Sequence, residues 1–497
     1  MLSPVMNDLI RTARRRLALL RGQVRERPAW ALAIGGFAAG TLTVLAGGRV
    51  GTVASVIPLT NWMGLFSVQG LGSGDYLPGA LMLAGIVALI ALWVLAIRHY
   101  RSAGEGTERS VWWIAGAWSV PFALGPPMLS NDVWTYAAQG LMLRSGLDPY
   151  TVGPSALGNV PALAAVDPYW RSVPSPYGPL AMTVQHLAIA ISGGNPLGAV
   201  IVIRALGVAC LIAIGVLAAD LAGSRRVQAL TLTILNPLLL LHVVSGAHLE
   251  GVMVALLLGA LLAAERRRWV LAIVLACAAG SVKAPAFIAV LAIIAVHNQS
   301  FRGRFAWRIA ARDIAIASVS ILGFTVIVRN GWGWVQALNT PSLGRTALAP
   351  ATLIADLYHP LVTAASADDL ATGGRSTTML AAVCIVIYLT VTAPRRTLTS
   401  TVGYGLLAVG LLSPVLYPWY LLWAVVCLAP TARAALRDWI VLISGFGCAF
   451  DPPGFARTTS IRLSIAALAI ALALITPRTL ARRRAATAQA PEVSMGG

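Results

Sequence analysis

The chain has 497 residues, 58% of them apolar and 11% charged, where ordinary soluble domains carry about a quarter charged residues. With a mean hydropathy of +0.77 it is neither a water-soluble globule nor a disordered segment. The formal net charge of +19 would suit nucleic acid, but most of the 37 basic residues sit in alternate loops between apolar runs, which is a topology signal and leaves no reason to expect a nucleic-acid partner.

A hydrocarbon core about 30 Å thick takes roughly 20 helical residues, and apolar runs of or near that length recur along the chain. Residues 1–29 form a basic N-terminal segment with Arg11, Arg14, Arg15, Arg16, Arg21, Arg25 and Arg27. It is cytoplasmic, and because no convincing small-residue cleavage site follows the first apolar run, the opening segment reads as a retained anchor and not a signal peptide. Residues 30–129 hold the first spans, near Trp30–Ala46, Leu77–Ile97 and Val111–Leu129. Residues 130–195 make an extracytoplasmic loop with one short apolar run, Leu180–Ile191, which suits a re-entrant or interfacial helix. Residues 196–328 hold spans near Leu197–Ala219, Val227–Val243, Leu249–Ala264, Trp269–Val282, Ala284–Val296 and Ile309–Val328. A second extracytoplasmic loop occupies 329–376. Residues 377–476 hold spans near Thr377–Thr392, Leu398–Pro414, Tyr417–Ala429, Trp439–Phe450 and Ser460–Ile475, and 477–497 form a basic cytoplasmic tail. The fold class is an all-α polytopic membrane protein of about 12–14 transmembrane helices. The positive-inside rule places both termini in the cytoplasm of a multi-pass plasma-membrane protein.

Five cysteines, Cys210, Cys277, Cys384, Cys427 and Cys448, stand singly in apolar runs, so neither a disulfide framework nor a thiolate metal site is indicated. The glycine-rich Gly70-Leu71-Gly72-Ser73-Gly74 leads into no dinucleotide-type helix, and the chain contains no Walker A sequence. No cofactor or metal ligand set is assigned.

The first long loop opens with Ser130-Asn131-Asp132-Val133-Trp134-Thr135-Tyr136 after a Pro-rich span end. Asn131 and Asp132 suit a helix start; alternatively Asp132 is a general base, which must come within about 3 Å of a hydroxyl. Gln139-Gly140, Asp148-Pro149-Tyr150 and Ser175-Pro176-Tyr177-Gly178-Pro179 follow as turn signals. With Trp134, Tyr136, Tyr169, Trp170 and Asp167 they describe an aromatic, acidic cap suited to stacking and hydrogen-bonding a sugar. An interfacial aromatic belt is the plainer alternative.

Two cations lie within apolar runs: Arg204, and Lys283, the only lysine in the chain. They either snorkel to the headgroups or capture a lipid-linked phosphate. His248 and Glu250 stand at an outward hairpin after Asn236-Pro237 and Ser245-Gly246, two residues apart and too few for a metal site. A later aromatic hairpin carries Tyr417, Trp419 and Tyr420, which either anchor the interface or touch donor lipid or sugar.

The blocks Ser130–Gly140 and Gly146–Pro154 resemble the signature loop of actinobacterial polyprenyl-phosphomannose-dependent α-1,6-mannosyltransferases. Tyr177-Gly178-Pro179, Leu235-Asn236-Pro237, Gly246-Ala247-His248, Val282-Lys283-Ala284 and Pro418-Trp419-Tyr420 are similar to later family segments in the same order. The resemblance implies the GT-C architecture with Asp132 as catalytic residue. Taken with the readings above, the candidate substrate contacts are Asn131, Tyr136, Gln139, Asp148, Tyr150, Tyr177, Arg204, His248, Glu250, Lys283, Trp419 and Tyr420. The resemblance further implies inverting transfer of mannose, on the extracytoplasmic face, from polyprenyl-phosphomannose to the α-1,6-mannan glycolipid backbone of lipomannan and lipoarabinomannan. Membrane lipids are the other expected partner. Leu249-Glu250 stands where the family more commonly has Asn-Asp, and Asn131-Asp132 carries one acidic residue instead of two. The residues alone leave open an arabinosyltransferase using a polyprenyl-phosphate pentose, and a flippase or transporter of polyprenyl-linked sugars.

Overall fold

In the computed structural model almost all regular structure is helical. The structure describes residues 29–48, 61–62, 66–67, 77–102, 107–299, 306–327, 331–340, 344, 346, 348–359 and 366–449. The basic residues 1–28, the glycine-rich 70–74, the expected span at 460–475 and the basic tail lie outside them. The described chain divides into two units. One holds the chain up to Leu147 with Pro154–Arg171 and Val184–Ala255; the other holds Asp148–Gly153, Ser172–Thr183 and the chain from Leu256 onward.

The first unit begins with α1 (Ala29–Gly47) and a minimal antiparallel ladder of β1 (Asn61–Trp62) and β2 (Phe66–Ser67). It continues with α2 (Leu77–His99), α3 (Glu108–Leu124), α4 (Asp132–Arg144), α5 (Ala162–Ala165) and the second half of α6 (Pro179–Ile191). Then come α7 (Pro196–Ala222), α8 (Arg226–Thr233), α9 (Pro237–Leu239), a π-helix over Leu240–Ser245 and the first turns of α10 (Glu250–Glu265). α7 starts where it does because the Asn195 side chain accepts from Leu197 N and Gly198 N while Pro196 occupies a position that needs no amide hydrogen. Indoles tie the helices together: Trp118 Nε1 donates to the Leu32 carbonyl at 2.8 Å and Trp93 Nε1 to that of Thr231 at 2.6 Å. Gly36 makes the α1–α3 approach feasible, since a Cβ there would lie 1.9 Å from Trp118 Nε1.

α7 sets the scale of this unit. At its far end Arg226 pairs with Asp220 at 2.8 Å and Glu108 at 2.9 Å. Arg204, near its start, lies about 27 Å from Ala222 at 1.5 Å rise per residue, close to the thickness of a hydrocarbon core.

The second unit takes up the rest of α10 and continues with α11 (Trp269–Val282), a 3-10 turn at Ala284–Phe287, α12 (Ile288–Gln299) and α13 (Trp307–Ile327). Next are α14 (Gly333–Ala337), α15 (Pro350–Tyr358), α16 (Ala367–Val391), α17 (Leu398–Leu412), α18 (Tyr420–Leu428) and α19 (Ala434–Ala449). α11 packs on α13, α12 on α16 and α17, and α17 to α19 form a sequential stack. α16 opens with a capping box in which Ser366 and Asp369 satisfy each other's backbone amides.

Among the described residues five helices are long and apolar enough to cross a membrane: Ala29–Gly47, Leu77–His99, Pro196–Thr233, Trp307–Ile327 and Asp369–Val391. Several expected spans form as shorter apolar helices because proline interrupts them. The run expected as one span near Val227–Val243 is corrected to two pieces, since α8 ends at Thr233 and Asn236 caps a new start at Pro237. The following piece bends by 118° into α10. Such broken helices are tolerated at membrane depth where protein surrounds them. The expected short helix at Leu180–Ile191 forms as α6.

Candidate functional site

Asp132 is the first residue of α4, and the chain reaches it through Pro126-Pro127-Met128 and Leu129, whose φ of 67° lies in the left-handed region. A branched residue there is strained, and such strain concentrates at functional positions. Asn131 precedes the helix without making a side-chain capping bond. Instead Ser130 Oγ accepts the Asp132 amide at 3.1 Å. The Asp132 side chain is 14% exposed.

Its partner comes from the other side of the bent pair. The π-helix ends at Ser245, Gly246 follows, Ala247 takes a left-handed φ of 51°, and the His248 amide donates to the His242 carbonyl at 3.0 Å. This tight reversal returns the His248 ring toward Gly246, where a Cβ would sit 2.8 Å from His248 Cδ2. His248 Nδ1 lies 3.5 Å from Asp132 Oδ2 and 3.9 Å from Glu250 Oε2, with the histidine and glutamate side chains fully buried. One turn along α4, the Tyr136 hydroxyl donates to Asp132 Oδ2 at 3.5 Å. The His242 ring lies 5.6 Å from that of His248. The result is an imidazole between two carboxylates, one of which keeps a face to solvent. An imidazole at this distance can orient a carboxylate that takes a proton. Among the described residues no group of three His, Cys, Asp or Glu side chains is arranged to hold a metal ion.

Arg204, expected at the donor phosphate, is engaged with two backbone carbonyls. Its guanidinium donates through Nη1 to the Gly125 carbonyl and through Nη2 to the Ser245 carbonyl at 2.7 Å. It links the segment that leads to Asp132 with the one that leads to His248. Gln139 is buried on α4, where the adjacent Gly140 approaches the Gln185 backbone. Gln185 is a residue that sequence reasoning missed. Its side chain is fully buried, and neither its amide oxygen nor its nitrogen has a hydrogen-bond partner among the described residues. No sequence signal distinguishes it from any polar residue on a helix.

In the second unit Lys283 follows the last turn of α11 in extended conformation, with φ −150° and ψ 126°. Its ammonium lies 4.6 Å from the ring centroid of Tyr420, 4.8 Å from Tyr177 and 5.4 Å from Trp423. Gly178 N donates to the Val282 carbonyl at 3.0 Å, which fixes the Tyr177 loop against this strap. Tyr177 and Tyr420 were expected in a site; Trp423 was not, although it follows Tyr420 by three residues on one face of α18. Trp419 stacks on Tyr417, ring centroids 4.6 Å apart. Asp148 accepts the Tyr150 amide at 3.0 Å, an Asx-turn role. Burial, with the Asp148 charge adding to it, pushes the Tyr150 phenol above its ordinary range and keeps it protonated.

The family model described as alpha-(1->6)-mannopyranosyltransferase, N-terminal domain, matches residues 33–299, and a second described as MptB C-terminal domain matches 346–481. The chain is 30% identical over 443 residues to alpha-(1->6)-mannopyranosyltransferase A of Mycobacterium tuberculosis, covering 84% of each chain. It is 30% identical over 464 residues to a probable alpha-(1->6)-mannopyranosyltransferase of Mycolicibacterium smegmatis, covering 82% of this chain and 81% of the relative. It is 28% identical over 397 residues to alpha-(1->6)-mannopyranosyltransferase B of Corynebacterium glutamicum, covering 71% of this chain and 65% of the relative. No solved structure matches.

Proposed function

The chain belongs to the alpha-(1->6)-mannopyranosyltransferase family, and we propose that it transfers mannose from polyprenyl-phosphomannose to the α-1,6-mannan backbone of lipomannan and lipoarabinomannan on the extracytoplasmic face of the plasma membrane. The observation that carries this reading is the Asp132–His248–Glu250 arrangement, in which a partly exposed carboxylate stands 3.5 Å from a buried imidazole.

In the proposed reaction Asp132 takes the proton of an acceptor mannose hydroxyl. That oxygen bonds to the anomeric carbon of a β-mannosyl phosphate as the bond to phosphate oxygen breaks. Configuration inverts to an α linkage, and polyprenyl phosphate leaves with the bonding electron pair. A single displacement needs one base and a stabilised leaving group. His248 and Tyr136 are positioning residues for the Asp132 carboxylate. Lys283, whose Nζ is faced by the rings of Tyr177, Tyr420 and Trp423, is the residue assigned to the donor phosphate.

The test is a cell-free membrane assay with labelled polyprenyl-phosphomannose and a short α-1,6-mannoside acceptor. Acid-stable labelled mannan should form with the wild-type chain and not with Asp132→Asn. Movement of labelled lipid between leaflets without any mannoside product would replace the transferase reading with that of a carrier, a class that also uses broken helices.

A further inference from the structure

We propose that the second unit carries a binding site for an anionic phospholipid, at a cavity of about 600 Å³ lined by Arg267, Arg268, Trp269, Val270, Leu271 and Arg312. It lies where the turn after α10 meets the start of α11 and the first turns of α13.

Of the three arginines at this cavity, one is paired with a carboxylate among the described residues. Arg312 is tied to the buried Asp313 at 3.2 Å, and Asp313 is also 2.5 Å from His297 Nδ1. The His297 ring in turn stacks on Trp269 at 4.3 Å between centroids. That relay engages the Asp313 carboxylate from two sides. Arg267 and Arg268 are both exposed and, among the described residues, make no side-chain hydrogen bond or ion pair. Glu265, at the end of α10, is the nearest other acid along the chain. Arg267 holds a left-handed φ of 56°, which fixes the turn that presents both guanidinium groups.

The rest of the lining selects a lipid over a free anion. Val270 is 50% and Leu271 44% exposed, directly beside the arginines. α13 continues from Arg312 as a candidate span with Ile314, Val319, Leu322 and Val326 all exposed. Trp307 is exposed at its start, as an aromatic residue at a membrane interface would be. A phosphodiester headgroup can meet the two guanidinium groups while its acyl chains lie along this apolar surface, the arrangement of basic pockets that hold anionic lipid. The reading is independent of the transfer chemistry, as none of these residues belongs to the Asp132 or Lys283 clusters.

The experiment uses the purified full-length chain in neutral detergent, with lipid retention read by native mass spectrometry and the thermal midpoint read in parallel. The probes are dioleoyl-phosphatidylglycerol, dioleoyl-phosphatidylcholine and inorganic phosphate. The paired variant Arg267→Asn with Arg268→Gln removes charge without stranding Asp313, and asparagine accepts the left-handed backbone. Wild type should retain phosphatidylglycerol and rise in midpoint with it, and neither phosphatidylcholine nor phosphate should reproduce this. The paired variant should bind phosphatidylglycerol about tenfold or more weakly, and Arg267→Lys with Arg268→Lys should retain most of the binding. Equal binding by the Asn/Gln variant, equal retention of phosphatidylcholine, or an equal effect of inorganic phosphate would each overturn the proposal.

Discussion

Arg204 and Ser245 are joined by a hydrogen bond from Nη2 to the Ser245 carbonyl, 2.7 Å long, while the same guanidinium also reaches the Gly125 carbonyl. Gly125 is the C-cap of α3 and Ser245 the last residue of the π-helix, so both acceptors are carbonyls left over where helices end. One side chain thereby satisfies two helix ends and holds the approaches to Asp132 and His248 in register.

Arg204→Met is expected to destabilise the chain by about 2–4 kcal/mol, because two buried carbonyls lose their donor. Activity should fall along with the thermal midpoint in detergent. Arg204→Lys should recover part of both, as an ammonium reaches at most one of the two acceptors well. A full loss of activity at an unchanged midpoint would instead point to direct contact with substrate.

Asp132→Asn should reduce mannosyl transfer by about 10²–10⁴-fold, the usual worth of a general base. The amide keeps the shape and the contact with Tyr136, so the midpoint should move little. Turnover comparable to wild type would remove Asp132 from the reaction.

Gly246→Ala tests the reversal that returns His248. A Cβ at this position meets His248 Cδ2 at 2.8 Å and His242 O at 3.2 Å, so the imidazole must shift. kcat should fall with little change in donor KM, which separates a positioning role from a binding one. Steady-state kinetics on the variant reads this directly.

Lys283→Met should raise donor KM strongly while leaving the chain folded, because a methionine thioether also packs well against Tyr177, Tyr420 and Trp423. Lys283→Arg should keep part of the donor affinity. Trp423→Leu should weaken it less than Lys283→Met, since one ring face contributes about 0.5–2 kcal/mol to holding the ammonium. Donor saturation curves and melting of the same preparations distinguish these outcomes from a structural loss.

The sequence by itself determined that the chain is a polytopic helical membrane protein, because mean hydropathy and the placement of arginines are local quantities that survive without knowledge of the fold. It also singled out Asp132, His248, Glu250 and Lys283, since ionisable groups in apolar surroundings are conspicuous in any arrangement. What those groups touch was decided by tertiary structure. Lys283 has only Val282, Ala284 and Pro285 beside it in the chain, and its three aromatic partners arrive from a distant loop and a distant helix. Arg204 finds its acceptors 79 and 41 residues away, and a backbone carbonyl leaves no mark in a sequence. The span expected at Val227–Val243 broke at Asn236-Pro237 for a local reason that could be read in advance. That the break places His248 3.5 Å from Asp132 depended on the left-handed turn at Ala247 and the packing of the π-helix on α3 and α7, which no periodicity records.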